Sequence, residues 1–296
     1  MRRLAVLALA VVWACSMKTM AARTVAGTLS ESSDVYSRDD DPELVRGAVP
    51  FALKTYESLL ETIPRHGPLL LAACRGFTQY AYAFVQTDAE RLQYDDYPES
   101  TRLRERALRL YLRGRDYCIR ALEVRFQDLG DMPSVEIARI LTRAEEKDVP
   151  LLYWTAASWG AAVALAPDDP DLVIDFPVVR ALLERALEID EEWNAGALHE
   201  AMITIESLEL LGGSKDLARS HFERAVALQK GRSPGPYVAL AMGVSVADQD
   251  RAEFQRLLGT ALAIDPDADP GNRLATIVTQ RRAQWLLDNI DSLFSQ

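Results

Sequence analysis

Residues able to do chemistry are few and scattered in this 296-residue chain. The three histidines, His66, His199 and His221, stand at none of the short intervals that put two imidazoles on one metal, and no His-Glu-x-x-His occurs. The stretch Asp265-Pro-Asp267-Ala-Asp269-Pro270 begins like a calcium loop. Such a loop needs Gly at its sixth position and Glu at its twelfth. Pro270 and Thr276 stand there instead, so the stretch reads as a proline-punctuated linker. No phosphate loop and no GxGxxG motif after a strand is found. The sequence therefore predicts a protein without catalytic residues, metal or cofactor. Its many glutamates read as the solvated face of helices.

The most informative stretch outside the repeats is Phe77-Thr-Gln-Tyr80-Ala-Tyr82-Ala-Phe84-Val-Gln86. On a helix Phe77, Tyr80 and Phe84 share one face, at i, i+3 and i+7, with Tyr82 on the other. Core packing accounts for such a stripe first. Buried phenols and amides still need hydrogen-bond partners. Beside Gln79 and Gln86, Phe77, Tyr80 and Phe84 are thus the candidates to line a pore or cleft for a small hydrophobic or carboxylate ligand. Trp154 and Trp159 carry the same two readings.

Helices must position these residues. Three apolar, helix-length runs end alike: Glu184-Arg-Ala-Leu-Glu-Ile-Asp190, Glu223-Arg-Ala-Val-Ala-Leu-Gln229 and Gly259-Thr-Ala-Leu-Ala-Ile-Asp265. Their central alanines, Ala186, Ala225 and Ala261, lie 39 and 36 residues apart. A period in this range marks stacked supersecondary units. Each unit holds two helical patterns, so the repeat is a tetratricopeptide-like helix hairpin, clearest over 150–265. Earlier helices are expected at 42–63, 68–86, 99–130 and 134–142. Asp250 and Glu253 read as a capping box, and Gly212-Gly213 as a left-handed cap. A last helix over 271–294 would close the open end of the array. Ala, Leu, Glu and Arg are frequent, and apolar and polar residues never alternate at length. The fold class expected is all-α without sheet.

The chain's beginning reads differently. Arg2 and Arg3 precede the apolar run Leu4–Ala14, too short to span a bilayer but suited to a signal peptide. The run leads into Cys15, with small Ala14 before it, which resembles a bacterial lipobox despite Trp13. That signal implies cleavage before Cys15 and its acylation, and several acyl chains anchor stably. This reading is favoured over plain cleavage after Ala14 or Ala22. The expected layout is a signal peptide at 1–14, a lipidated, flexible polar tether at 15–41, and the helical domain at 42–296. The formal charge of −11 disfavours nucleic acid as a partner. Cys74 and Cys118 can pair in an exported protein, but their local patterns favour two separately buried thiols.

Taken together, the chain resembles the T component of TRAP-type transporters, the tetratricopeptide-like lipoprotein family called TatT. The resemblance rests on Gly76–Gln86, Ala157-Ser-Trp-Gly160 with Asp168-Asp-Pro170, and His221-Phe-Glu-Arg-Ala225. It continues through Gly235-Pro-Tyr-Val-Ala-Leu240, Ala263–Pro270 and Gln280-Arg-Arg-Ala-Gln-Trp-Leu-Leu287. It implies an all-helical, homotrimeric periplasmic lipoprotein that binds the solute-binding P component and assists ligand uptake. No catalytic residue is carried over.

Overall fold

Caps set where the helices begin. The computed structural model describes residues 17–30, 34–126, 137 and 141–294, and among these there is no strand. Residues 17–30 are helix α1. Asp41 opens α2, Pro42–Thr62, by accepting from the Glu43 and Leu44 N–H groups, with Pro42 in the first turn. His66 opens α3, Gly67–Tyr80, its Nδ1 accepting from the Leu69 N–H at 3.2 Å. A π-helical segment, Ala81–Gln86, carries α3 on into α4, Thr87–Leu92. The turn before α5, Tyr97–Arg125, is capped by Asp96. Then follow α6, Val149–Leu165, α7, Phe176–Ile189, α8, Ala197–Glu206, and α9, Lys215–Leu228. The array ends with α10, Gly235–Leu240, α11, Arg251–Leu262, and α12, Arg273–Asp288. Asp250 caps α11 as expected, but half of the capping box is absent. Glu253 turns to Arg219 and Ser245 instead of reaching back to its own cap. Gly212 does adopt the left-handed conformation, at φ 85°.

Neighbours in sequence pack as neighbours in space: α3 on α5, α5 on α6, α6 on α7, α8 on α9, α10 on α11, and α11 on α12. Ala186, Ala225 and Ala261 are fully buried, which fits the repeat alignment. One apolar core runs from α1 to α8 and a second from α8 to α12, with Ile203 of α8 in the second. The array does not stay open. Helix α12 returns to α2 and to the short helix Asp34–Ser37. Tyr94 stacks on Trp285 with centroids 6.1 Å apart, and Arg281 pairs with Glu43 at 3.2 Å. The closing role expected of the last helix is thus met by contact with the first hairpin.

Two expectations need correction. The segment read as a flexible tether is helical over 17–30, with Ala22 and Ala26 buried and the Leu29 carbonyl accepting from the Tyr56 hydroxyl at 3.4 Å. Ala22, Ala26 and Leu29 form an i, i+4, i+7 stripe that ends just before the serine- and aspartate-rich stretch 30–41. Cys15 lies outside the described residues. Second, Cys74 and Cys118 are not separate thiols. They form a disulfide between α3 and α5, with Cα atoms 5.3 Å apart. Close approach of these helices permits it. At Gly114 of α5, an added Cβ would come within 2.9 Å of Thr78 Oγ1 and 3.1 Å of the Cys74 carbonyl. No helix among the described residues is long and apolar enough to cross a membrane.

Candidate functional site

The aromatic run divides between core and interior. Phe77 is 3% exposed and stacks on Tyr117 at 5.8 Å, with the Arg113 guanidinium 5.1 Å from its centroid. Tyr80 and Phe84 meet at 5.6 Å, and Arg46 lies 5.3 Å from the Phe84 ring. Phe84 also lines a crevice with Pro42, Arg46 and Arg281 of about 10 Å³, room for one water. The structure brings Tyr80 and Phe84 together and leaves Phe77 packed between α3 and α5. Trp159 is buried beside the Arg115 guanidinium.

Tyr82, on the other face, reaches the place where polar groups converge. Arg282 of α12 donates from Nε to Glu90 Oε2 at 2.7 Å and from Nη2 to Glu90 Oε1 at 3.1 Å. Its Nη1 donates to the Tyr82 hydroxyl at 3.4 Å. The Gln86 amide donates to Glu90 at 3.1 Å and accepts from the Tyr111 hydroxyl at 2.6 Å. Three stretches of chain far apart in sequence, around residues 82–90, 111 and 282, thereby share one network. Burial alone would lower the Arg282 pKa, but the Glu90 carboxylate and Tyr82 outweigh it and hold the guanidinium firmly charged. Burial also pushes the Tyr111 phenol well up.

A second group continues inward from Tyr82. Burial pushes the Tyr153 phenol up, and the nearby charges of Glu200 and Tyr82 add to the effect. Burial likewise raises the Glu200 pKa, against the Gln229 amide, which donates to Glu200 Oε2 at 3.0 Å. Gly235 leaves room for that carboxyl, because a Cβ there would collide with Glu200 Oε1. Tyr82, Tyr153, Glu200 and Arg282 each keep part of their surface accessible. Desolvation is nevertheless the first influence on the Tyr153, Glu200 and Arg282 pKa values. These four side chains are therefore half-buried polar groups. Closure of the array brings α12 back to the first helices and places Arg282 beside Glu90 and Tyr82.

The histidines also come together. His199 Nδ1 and His221 Nδ1 are 2.8 Å apart across the α8–α9 hairpin, with Glu191 3.8 Å from His199 Nε2. One Nδ1 must donate and the other accept, so a pair with both rings protonated cannot make this bond. Burial lowers both pKa values, helped at His199 by His221 and Arg224 and opposed by Glu191, and opposed at His221 by Glu206. A depressed folded-state pKa gives stability that is present above the unfolded value near 6.5 and lost as pH falls below it. The urea midpoint is therefore expected to drop between pH 7 and pH 5. The drop should shrink in His221→Gln; an equal drop there would remove the pair as its cause.

The expectation that the chain has no Gly-x-Ser-x-Gly is incorrect: Gly231-Arg-Ser233-Pro-Gly235 has the spelling of a hydrolase nucleophile elbow. The required strand-to-helix turn is absent. The segment joins α9 to α10, and Ser233 Oγ accepts from the Gly235 N–H at 3.3 Å.

The fold defines a class: arrays of helical hairpins closed by contact between the last helix and the first. The family described as TRAP transporter T-component matches residues 38–294, and the chain belongs to it. A Treponema pallidum (strain Nichols) protein described only as uncharacterized is 30% identical over 300 residues, covering 95% of this chain and 93% of that protein. Membership makes this chain a TRAP-associated accessory component; the family is not one of known enzymes.

Proposed function

We propose that the chain is a periplasmic lipoprotein that docks, as a homotrimer, on the solute-binding P component of a TRAP-type transporter and assists ligand uptake. The family match across 38–294 carries this reading. The disulfide supports an oxidising compartment such as the periplasm. Leu44 and Phe51, seven residues apart on α2, stay 62% and 79% exposed, an apolar surface for a subunit or partner to cover. Calorimetry against the cognate P component and sedimentation test the reading together. Binding at micromolar concentrations by a trimer is expected. A monomer without affinity well above micromolar would sink it.

Anchoring is proposed at Cys15, from the basic–apolar–Cys order of residues 2 to 15. Anchoring raises the effective concentration of a partner without any new contact. Cys15→Ser is expected to move the protein from the detergent phase to the aqueous phase; unchanged partitioning would refute acylation there. The half-buried polar groups Tyr82, Tyr153, Glu200 and Arg282 motivate a second reading, a stand-alone carrier. Mass spectrometry of natively purified protein, before and after denaturation, separates the two by the presence of a stoichiometric small molecule.

A further inference from the structure

Helix α5 is charged against the rest of the chain. Its span Tyr97–Arg125 holds eight arginines and four acidic residues, a net +4. The total is −11, so everything else sums to −15. Arg102, Arg106, Arg109, Arg113 and Arg120 fall at i, i+4, i+7, i+11 and i+18, one outward stripe about 27 Å long. The first four are exposed and Arg120 is half-buried. One end of the stripe is held in place. Arg113 sits over Phe77 and faces Glu57, and Arg120 sits over Tyr117 and donates to the Pro64 carbonyl at 3.1 Å. Arg106 has no ion pair among the described residues, and Arg109 has only Glu105 at 3.8 Å. Lys54 also pairs with Glu57, so the outward face of α2 adjoins the stripe. Leu44, Gly47, Phe51 and Lys54 lie on that face, all exposed.

A complementary surface lies at the turns that join α6 to α7 and α8 to α9. The first, residues 166–175, carries Asp168, Asp169, Asp171 and Asp175, no basic residue, and the exposed Ile174. The second, residues 207–217, carries Glu209 and Asp216 beside the exposed Leu210 and Leu217. Its one lysine, Lys215, is already paired with Glu209 and Asp248. Glu206 ties the two turns together, pairing with Arg180 of α7 and accepting from the Ser214 N–H at 3.0 Å. Each surface thus sets exposed apolar side chains among charges mainly of one sign, and the two signs are opposite. Grouped apolar side chains of this kind mark contact surfaces.

We propose that these two surfaces dock on each other between copies of this chain, the α2–α5 face of one copy on the 166–175 and 207–217 turns of the next. Leu44 and Phe51 then meet Ile174 and Leu210 inside a border of arginine–aspartate pairs, an apolar centre with a charged rim. The signs decide the symmetry. A two-fold contact sets each surface on itself, arginine on arginine or aspartate on aspartate. A head-to-tail contact sets the unlike surfaces together, and contacts of that kind close into rings. An odd-numbered ring can be built in no other way. An anionic membrane or a nucleic acid would meet the arginines but also the −15 carried by everything else. The proposal rests on the homotrimer of the proposed function and supplies its contact; binding of the P component is independent of it.

Sedimentation velocity of the full chain reads the assembly. Arg106→Glu with Arg109→Glu should raise the dissociation constant of the trimer at least about a hundredfold, since like charges then face each other. Asp168→Lys with Asp171→Lys should do the same from the other side. All four changes in one chain restore opposite signs, and association should return to within about tenfold of wild type. Phe51→Ala should weaken association at least about tenfold with no change of charge. All five side chains are exposed, and thermal melts of each variant establish folding. A trimer of wild-type strength in both reversed pairs overturns the interface alone. Reversed pairs that dissociate, with a fourfold variant that fails to reassociate, overturn the matching of the two surfaces. A wild-type monomer overturns the interface together with the trimer of the proposed function. If Arg106→Glu with Arg109→Glu keeps the trimer but loses binding to phosphatidylglycerol vesicles or to the P component, the stripe belongs to that occupant and the proposal is overturned.

Discussion

Arg282→Met is expected to lower the unfolding free energy by roughly 3–5 kcal/mol, the usual cost of stranding one partner of a buried ion pair. The Arg282 and Glu90 side chains are 17% and 21% exposed, so solvent screens their attraction little. Removing the guanidinium leaves Glu90 with only the Gln86 amide and frees the Tyr82 hydroxyl. The pair also spans 192 residues and fastens α12 to α4. Its loss should therefore loosen the closure as well as lower global stability. Two measurements separate these effects. Urea denaturation reads the global cost, and hydrogen exchange along α12 reads local opening. The double variant Arg282→Met with Glu90→Leu should recover much of the loss, since an apolar pair often replaces a buried ion pair at little cost. A urea midpoint equal to wild type in Arg282→Met would show that Tyr94 on Trp285 and the contacts of α2 close the array without this network.

The hairpins were legible in the sequence, and some of their internal geometry was available there but not used. Paired helices mirror each other about their connecting turn. Residue 96 lies midway between Cys74 and Cys118, at the break Asp95-Asp96-Tyr97-Pro98. It also lies midway between Thr78 and Gly114, which meet at a close crossing. Residue 210, between α8 and α9, lies midway between His199 and His221. Judged by local pattern alone, the cysteines and histidines seemed unrelated; judged by distance from the turn, they face each other. The closed interior was not legible in this way. Arg282 and Glu90 belong to hairpins at opposite ends of the array, and only the accumulated rotation of all the repeats brings them together. The phase of the aromatic run was misleading for a related reason. Phe77, Tyr80 and Phe84 form the longer apolar stripe and pack as such, whereas Tyr82, on the opposite face, meets Arg282. The π-helical segment Ala81–Gln86 lies within this run, and a π turn shifts the phase that an α-helical count assumes. Glu200 was hidden by its type, since one glutamate in a glutamate-rich helical protein looks like a surface residue.

Loss of the Cys74–Cys118 bond is expected to cost about 4 kcal/mol, the chain-entropy value for a loop of this size. The bond joins residues 44 apart in sequence. Its effect is mainly on the unfolded chain, which without it explores the whole α3–α5 hairpin freely. Cys74→Ala with Cys118→Ala is the suitable variant, because both side chains are fully buried and serine would bury unpaired hydroxyls there. For a domain of this length about 1 kcal/mol moves the melting temperature by roughly 2–4 °C, so a fall of roughly 8–16 °C is expected. A reductant such as TCEP should lower the wild-type melting temperature toward that of the variant and leave the variant itself unmoved. That comparison isolates the covalent bond from the packing that the alanines also remove. A wild-type protein indifferent to TCEP, after confirmed reduction, would mean that the α3–α5 seam is stabilised by packing alone. If the shift is observed, full stability depends on reaching a compartment where the bond persists. Reduced protein would then carry a weakened helix pair beneath the aromatic run, coupling export to the network that Tyr111 and Gln86 extend to Glu90.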